Sequence, residues 1–198
     1  MANLAPPRTM SPDDYLAFEE QSGARHEFVR GEVFAMSGTT DAHNDIVGNL
    51  YTAIRAHLRG GSCRVQMESV KLRVDAANVY FYPDIFVTCD PRDRDDPLVK
   101  RHASVIIEVL SESTSDYDRG EKFADYRLLP SLREYVTVDS RIQQVVVYRR
   151  NEGGIWEFHP TEAGGSVTLA AIAFTVPLGL IYDDTSVPEH LPPPDPRR

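Results

Sequence analysis

Two strand-like runs of this sequence each contain one carboxylate in an otherwise apolar or aromatic stretch. Glu108 lies in the run 104–110, whose β-branched residues are typical of a strand in the middle of a sheet. Asp84 lies in a second such run, 80–87. A lone buried carboxylate costs several kcal/mol unless it is paired, protonated or bound to a cation. Asp84 and Glu108 are therefore the strongest candidates in the sequence for a chemical role.

The spacing within each run indicates where the two carboxylates point. Side chains alternate between the faces of a strand, so Asp84 shares a face with Tyr82 and Phe86, and Glu108 shares one with Leu110. If the two runs are neighbours in one sheet, both carboxylates converge on one point. Converging carboxylates repel each other, and a hard divalent cation with oxygen ligands relieves that repulsion. The pattern predicts a metal site formed by Asp84 and Glu108.

The length and composition predict one domain. The chain has 198 residues, 41% hydrophobic and 26% charged, which is typical of a soluble globular protein. We predict a single domain over 10–185, with flexible tails at 1–9 and 186–198. The second tail contains the proline-rich run 192–196, which cannot form regular ladders.

Charge and cysteine content exclude some classes of protein. The net charge of -9 argues against a protein that coats nucleic acid through bulk positive charge, although a local basic groove remains compatible with it. No apolar stretch approaches the roughly 20 residues of a membrane-spanning helix, and the N-terminus lacks the apolar segment of a signal peptide. The cysteines are Cys63 and Cys89, so neither a disulfide framework nor a thiolate zinc site is expected, and a cytoplasmic location is predicted.

Periodicity and turn residues predict the elements that must position the two acids. Ser11 is a helix N-cap followed by Pro12 at the first helical position. Arg30-Gly31 marks the turn of a hairpin, and the segment 90–100 reads as a charged surface loop. Helices are predicted over 12–21, from 41 to the glycines at 60 and 61, and over 116–129; strands are predicted at 26–29, 32–36, 63–74, 80–88, 104–110, 134–139, 142–149, 155–159 and 166–170.

The order of these elements predicts a mixed sheet flanked by helices, in the α/β (α+β) class. Strands 63–74 and 80–88 are joined by a short connection and are expected to be antiparallel. The helix between 104–110 and 134–139 favours a parallel crossover. An N-terminal helix and hairpin precede this core.

Several motifs, taken in order, resemble a known family. The motifs are YPDIFV at 82–87, IEVLSEST at 107–114 and DRGEKFADY at 118–126, with EFVRGEV at 27–33 and His43 earlier in the chain. Together they are similar to the Uma-type family of endonucleases, within the PD-(D/E)XK restriction-endonuclease-like superfamily. The resemblance covers roughly residues 10–183 and implies a restriction-endonuclease-like fold.

The chain departs from the superfamily signature at one position. The signature places a lysine two residues after the second acid, where this chain has Leu110. The resemblance implies that Lys122, on the following helix, reaches back to the end of the 104–110 strand and takes over that role.

The resemblance also implies a chemistry, which is hydrolysis of phosphodiester bonds in DNA. Asp84 and Glu108, with the carbonyl of residue 109, would hold Mg²⁺ or Mn²⁺. Lys122 would orient the attacking water or neutralise developing charge. Glu32 would add a ligand or hold a metal-bound water, and His43 would contact a phosphate or shuttle a proton. A homodimer would place two such sites on the two strands of a duplex.

Taken alone, some of these residues have ordinary structural interpretations. A lysine on a helix is most often solvated. Glu27 and Glu32 flank a turn and would ordinarily be solvent-facing hairpin acids, and His43 lies at the entrance of a helix. Two other functions therefore stay open. The chain could be a catalytically inactive interaction module of the same fold, as Leu110 suggests, or a hydrolase of another phosphodiester.

Overall fold

The computed structural model describes residues 9–112 and 115–190. Most of the predicted tail residues, together with Ser113 and Thr114 of the second motif, lie outside these ranges. The described helices are α1 (Pro12–Gln21), α2 (Asp41–His57), α3 (the helical segment 115–126) and α4 (Leu178–Ile181). The described strands are β1 (His26–Val29), β2 (Glu32–Ala35), β3 (Arg64–Met67), β4 (Lys71–Val74), β5 (Val79–Phe81), β6 (Ile85–Thr88), β7 (Val99–Lys100), β8 (Ala103–Leu110), β9 (Glu134–Asp139), β10 (Gln144–Arg150), β11 (Trp156–Glu162), β12 (Ser166–Leu169) and β13 (Phe174–Pro177).

The predicted N-terminal helix and hairpin are both present, and local sequence features explain where they begin and turn. The Ser11 hydroxyl accepts the Asp14 N–H at 3.1 Å, and the Asp14 carboxylate accepts the Ser11 N–H in return, so α1 begins with a capping box. Arg30 and Gly31 both adopt positive φ angles, 52° and 103°, as a tight hairpin turn requires. These two predictions are confirmed.

The described strands form two larger sheets and a separate hairpin. One sheet has the order β2-β1-β5-β4-β7, the other has the order β11-β10-β9-β8-β6-β3, and β12 pairs with β13. In the second sheet β6 is antiparallel to β8, whereas β8 is parallel to β9, so the predicted crossover is confirmed. The second sheet is thus mixed, as predicted, and the fold is of the predicted class, with helices packed against mixed sheets.

Two predicted strands, 63–74 and 80–88, are each divided between the two sheets. Glu68 adopts a positive φ of 43° between β3 and β4, which turns the chain from one sheet into the other. Pro83, which has no N–H to donate, lies in the break between β5 and β6. Asp84 therefore occupies a corner between the sheets, directly before β6, and not the middle of a continuous strand.

Helices α2 and α3 cover opposite faces of the second sheet. The apolar stripe of α2 packs with side chains of β6, β8, β9 and β10, including Val87, Val105 and Val136. Phe123 and Tyr126 of α3 pack with residues of the other face. Because side chains alternate along β8, Glu108 faces α3 and Val109 faces α2.

The predicted helix 116–129 is shorter and wider than expected. Its helical segment ends at Tyr126, and Asp118–Lys122 is π-helical. A π-helical turn is wider than an α-helical turn and is frequently found at functional sites. Asp118 and Lys122 are both buried, whereas a lysine on the surface of a helix would be exposed to solvent.

The predicted surface loop at 90–100 is partly buried. It contains the 3-10 turn Pro91–Arg94 and strand β7. Asp93 is only 5% exposed and accepts hydrogen bonds from Thr88 and from the N–H groups of Arg101 and His102. Its carboxylate satisfies backbone donors in place of a strand partner, which explains the burial.

The structure joins Cys63 and Cys89 in a disulfide bond. This corrects the expectation that the two cysteines form no disulfide. The register of β3 and β6 pairs Arg64 with Thr88, so the cysteines that flank these residues lie opposite each other. Sequence separation alone could not show this pairing, because it depends on the register of two strands.

Reduction of this disulfide is expected to destabilise the protein. The bond links residues 26 positions apart, and closing a loop of that length stabilises a fold by about 3 kcal/mol. Thermal unfolding with and without dithiothreitol should therefore show a decrease in Tm on the order of 5–10 °C. A Cys63→Ser/Cys89→Ser variant serves as the control and should be insensitive to the reductant. An equal Tm for the wild type in both conditions would contradict the prediction.

None of the helices in residues 9–112 and 115–190 is long and apolar enough to cross a membrane.

Candidate active site

Asp84 and Glu108 lie side by side, and each carboxylate accepts a hydrogen bond from a backbone N–H in the segment that carries the other. Glu108 Oε2 accepts the N–H of Asp84 at 3.1 Å, and Asp84 Oδ2 accepts the N–H of Val109 at 2.7 Å. The pairing of Ile85 with Ile107 places the two acids at the same end of β6 and β8. The structure thus brings together the two residues that the sequence predicts to converge.

Glu108 is almost completely buried and is bound by two further side chains. Its Oε1 atom accepts the Tyr126 hydroxyl at 2.8 Å and lies 3.0 Å from Lys122 Nζ. Burial raises the pKa of Glu108 to about 8, because the lowering effect of Lys122 is opposed by the charges of Asp84, Asp118 and Glu27. The charge of Lys122 therefore does not fully compensate the negative charge of an ionised Glu108.

Lys122 reaches the site from the π-helical turn of α3. Its ammonium lies 3.0 Å from Glu27, 3.0 Å from Glu108 and 3.7 Å from Asp118. Burial alone would lower the pKa of Lys122, but these carboxylates hold it well above its ordinary value. Lys122 is consequently a permanently charged donor, placed at the second acid as the family resemblance implies.

His43 approaches from the opposite side, in the first turn of α2. Its backbone N–H donates to the hydroxyl of Thr40, the N-cap residue, at 3.3 Å. The ring atom Nε2 lies 3.3 Å from Asp84 Oδ2, whereas Nδ1 is buried and has no partner among the described residues. Burial lowers the pKa of His43, but the hydrogen bond and charge of Asp84, the charge of Glu68 and the backbone of Val109 outweigh it and raise the pKa.

The structure places Glu27 at the site and leaves Glu32 in solvent. Glu27 is mostly buried on β1, whereas Glu32 is exposed on β2, an edge strand. Among the described residues, the Glu32 side chain makes no hydrogen bond or ion pair; its predicted role stays a prediction. The two acids look alike in the sequence because only the sheet order shows that β1 is an inner strand.

The donor set fits a hard cation that retains water. Within the described part of the chain, no group of three His, Cys, Asp or Glu side chains is arranged to hold a metal. Two carboxylates and a backbone carbonyl are instead the type of partial ligand set with which Mg²⁺ is bound, since Mg²⁺ keeps several waters and takes further oxygens from substrate phosphates.

The charge of the cluster also favours a cation. Among the described residues, the carboxylates of Glu27, Asp84, Glu108 and Asp118 surround the ammonium of Lys122. If all are ionised, their formal charge is -3, and a protonated His43 reduces it to -2. A divalent cation would neutralise this remaining charge, which protons must otherwise relieve.

The metal-free protein is therefore expected to lose stability as the pH rises from about 5 to about 8. Glu108 titrates at about 8 when folded, against 4.5 for an ordinary glutamate. Between these values the folded state binds more protons than the unfolded state, so the free energy of unfolding decreases as the pH increases. His43, whose pKa is also raised, acts in the same direction above its ordinary value of 6.5. A decrease in Tm on the order of 5–10 °C is expected.

Thermal unfolding in a chelator at several pH values measures this effect. Glu108→Gln cannot titrate and should flatten the curve, whereas Glu162→Gln, an exposed matched control, should not. Asp93 and Asp139 have lowered pKa values, so the stability they contribute is lost only on acidification below about pH 4, outside this window. A wild-type Tm that rises steadily over the range would contradict the assignment.

The chain is similar in sequence to known proteins over most of its length. The sequence model of the Uma2 family, described as "Putative restriction endonuclease", matches residues 12–179. The uncharacterized protein slr1290 of Synechocystis sp. is 35% identical over 178 residues, which are 90% of this chain and 94% of that protein. A second Synechocystis protein, sll1609, is 29% identical over 152 residues, or 76% of this chain and 86% of its own.

A solved structure shares the fold. The crystal structure of a protein from Anabaena variabilis, described as a "putative nuclease belonging to DUF820", superposes with a TM-score of 0.72. The match covers 87% of this chain and 97% of that chain at 16% sequence identity. At this identity the likeness concerns the fold alone, and it confirms the restriction-endonuclease-like architecture that the motifs implied.

Proposed function

The chain belongs to the Uma2 family, described as "Putative restriction endonuclease", and from this membership and the carboxylate site we propose that it is a divalent-metal-dependent endonuclease that hydrolyses phosphodiester bonds in DNA. The observation that carries the proposal is the convergence of Asp84, Glu108 and Lys122 at one end of β8, with only 3.0 Å between the ammonium and the second carboxylate. This residue set suits metal-dependent phosphodiester hydrolysis, because it offers oxygen ligands for a metal and a fixed cation beside them.

Asp84 and Glu108 would hold Mg²⁺ or Mn²⁺ with the carbonyl of Val109. When bound, the cation would polarise a phosphoryl oxygen and make water a better nucleophile at neutral pH. The hydrogen bonds that Glu108 accepts from Tyr126 and from the backbone of Asp84 fix its orientation, and the N–H of Val109 fixes Asp84. A rigid carboxylate pair loses little entropy when it binds a ligand.

Lys122 and His43 supply the proton and charge chemistry. The Lys122 ammonium stays charged and would orient the attacking water or neutralise charge on the phosphoryl group. His43 lies beside the first acid, with Nε2 3.3 Å from Asp84 Oδ2, and from there it would contact a phosphate or transfer a proton. Glu32, the remaining predicted site residue, is proposed only as a group that approaches when substrate is bound.

Lys122 also bears on the alternative of an inactive interaction module. That alternative is motivated by Leu110, which removes the lysine of the superfamily signature. Because Lys122 contacts Glu108 directly, the site keeps a lysine despite this departure, and this supports a catalytically competent protein. The predicted homodimer and cytoplasmic location stay predictions.

The direct test is an incubation of the purified protein with supercoiled plasmid, linear duplex and single-stranded DNA in Mg²⁺, Mn²⁺ or a chelator. Cleavage that requires the cation supports the proposal. Complete absence of cleavage on all three substrates, in a protein shown to bind Mn²⁺ by calorimetry, would move the interaction module to first place.

A further inference from the structure

Glu27 makes two contacts that connect the N-terminal hairpin to the candidate active site. Its Oε1 atom lies 3.0 Å from Lys122 Nζ and accepts the N–H of Tyr82 at 3.3 Å. Tyr82 is two residues before Asp84, on the segment that turns from one sheet into the other. One carboxylate oxygen thus contacts both the lysine of the site and the backbone that leads to its first acid.

The surroundings of Glu27 hold it in place. Its side chain is 13% exposed, and the neighbouring strand β5 contributes Phe81, whose ring lies 5.3 Å from the Lys122 ammonium. The hydroxyl of Tyr82 donates to the buried Glu19 of α1 at 2.8 Å. Arg30, at the turn of the same hairpin, pairs with Asp125 of α3. Among the described residues, two ion pairs therefore link the hairpin to α3, and only the pair between Glu27 and Lys122 involves the site.

We infer that Glu27 is a positioning residue that holds the Lys122 ammonium between two carboxylates and so keeps Glu108 available to a cation. The inference rests on the proposed function. Lys122 is equally distant from Glu27 and Glu108, at 3.0 Å each. Without the charge of Glu27, the ammonium has Glu108 as its nearest carboxylate and compensates that charge more fully. The cluster then carries one negative charge fewer, and a cation must compete with Lys122 for Glu108.

Glu27→Gln is expected to weaken binding of Mn²⁺ and to slow cleavage, each by about 10- to 100-fold, as substitutions of groups that orient metal ligands do. The value of kcat should decrease while KM for DNA stays within about twofold, because Glu27 acts through Lys122. Glu27→Asp keeps the charge on a shorter side chain and should recover part of both losses. Glu20→Gln, an exposed glutamate of α1, is the matched control and should behave as the wild type.

Arg30→Gln separates positioning from simple anchoring of the hairpin. It breaks the other contact between the hairpin and α3 without touching Lys122, so Tm should decrease while the affinity for Mn²⁺ and kcat remain close to the wild-type values. An equal loss of both in Arg30→Gln and Glu27→Gln would reduce Glu27 to an anchor and overturn the inference. Wild-type kcat and Mn²⁺ affinity in Glu27→Gln would also overturn it.

Calorimetry with MnCl₂ alone distinguishes failure of this inference from failure of the proposed function. If the wild type binds Mn²⁺ but cuts no DNA, the proposed function fails, and the comparison of the two affinities still decides the role of Glu27. If the wild type cuts DNA and Glu27→Gln cuts it equally well, only the role of Glu27 fails. A wild type that neither binds Mn²⁺ nor cuts DNA would overturn both.

Discussion

Glu108→Gln is expected to abolish divalent-cation binding and to reduce DNA cleavage by roughly a thousandfold or more, while the protein remains folded. The substitution removes one of the two carboxylates that would hold the cation, but it preserves the size of a side chain that is 3% exposed. A metal contributes several kcal/mol to stabilising a phosphoryl transition state, and each 1.36 kcal/mol corresponds to about tenfold in rate. Asp84→Asn should have the same effect, since Asp84 supplies the other carboxylate.

The stability of the Glu108→Gln variant should show that its loss of cation binding and cleavage is not caused by unfolding. Glu108 is destabilising when ionised and metal-free, because its burial and its acidic neighbours raise its pKa to about 8. A neutral glutamine relieves that cost, so the metal-free variant should unfold at the wild-type temperature or above it at about pH 8. A functional carboxylate that destabilises its own fold is expected at a site that binds a cation.

Calorimetric titration with MnCl₂ and MgCl₂, cleavage assays and circular dichroism together test this prediction. Glu162→Gln, the exposed control, should bind the cation and cut DNA as the wild type does. Cation binding that survives in both Glu108→Gln and Asp84→Asn would place the metal elsewhere and refute the assignment of these two ligands. Cleavage that survives in both would refute the proposed catalytic site itself.

The convergence of Asp84 and Glu108 could be predicted because it depends on local rules. Strand side chains alternate, a lone acid in an apolar strand requires a partner, and neighbouring strands bring such acids together. The break at Pro83 did not disturb the prediction, because Ile85 and Ile107 still pair and fix the two acids at one end of their strands. The division of 63–74 and 80–88 between two sheets escaped prediction, since a pattern of apolar residues does not show which sheet a strand joins.

The remaining site residues depend on features that a single sequence does not contain. Lys122 was identified by family resemblance, and its burial depends on a π-helical turn that periodicity does not reveal. Glu27 and Glu32 are equivalent as hairpin acids until the sheet order makes β1 an inner strand and β2 an edge. The disulfide between Cys63 and Cys89 depends in the same way on the register of β3 and β6.

Lys122→Met is expected to lower the stability of the metal-free protein by about 3–5 kcal/mol, or a decrease of about 10 °C in Tm. It removes the ammonium that lies 3.0 Å from the carboxylates of Glu27 and Glu108 and so leaves these two without its compensating charge. Because Glu108 can relieve part of this cost by binding a proton, the loss should be larger at about pH 8 than at about pH 5. Lys71→Met is the matched control: Lys71 has no ion pair among the described residues, and its contact with the Tyr82 ring at 5.4 Å limits the expected loss to about 1 kcal/mol or less.

A double variant tests whether the loss comes from the buried charges. Lys122→Met/Glu108→Gln removes the ammonium together with one of the two carboxylates it contacts at 3.0 Å, so part of the lost stability should return while Glu27 remains without its partner. Strictly additive changes in the double variant would show that Lys122 does not stabilise the fold through its ion pair with Glu108.

The same variant separates cation binding from catalysis. Lys122→Met makes the cluster more negative and removes the ammonium that competes for Glu108, so Mn²⁺ should bind at least as tightly as it does to the wild type. Cleavage should nevertheless fall by roughly 100- to 1,000-fold, because the donor that stabilises charge on the phosphoryl group is gone. Glu108→Gln should lose both properties, and Lys122→Met only the second. If Lys122→Met also lost Mn²⁺ binding, the lysine would be a structural support of the carboxylate pair and not a catalytic residue.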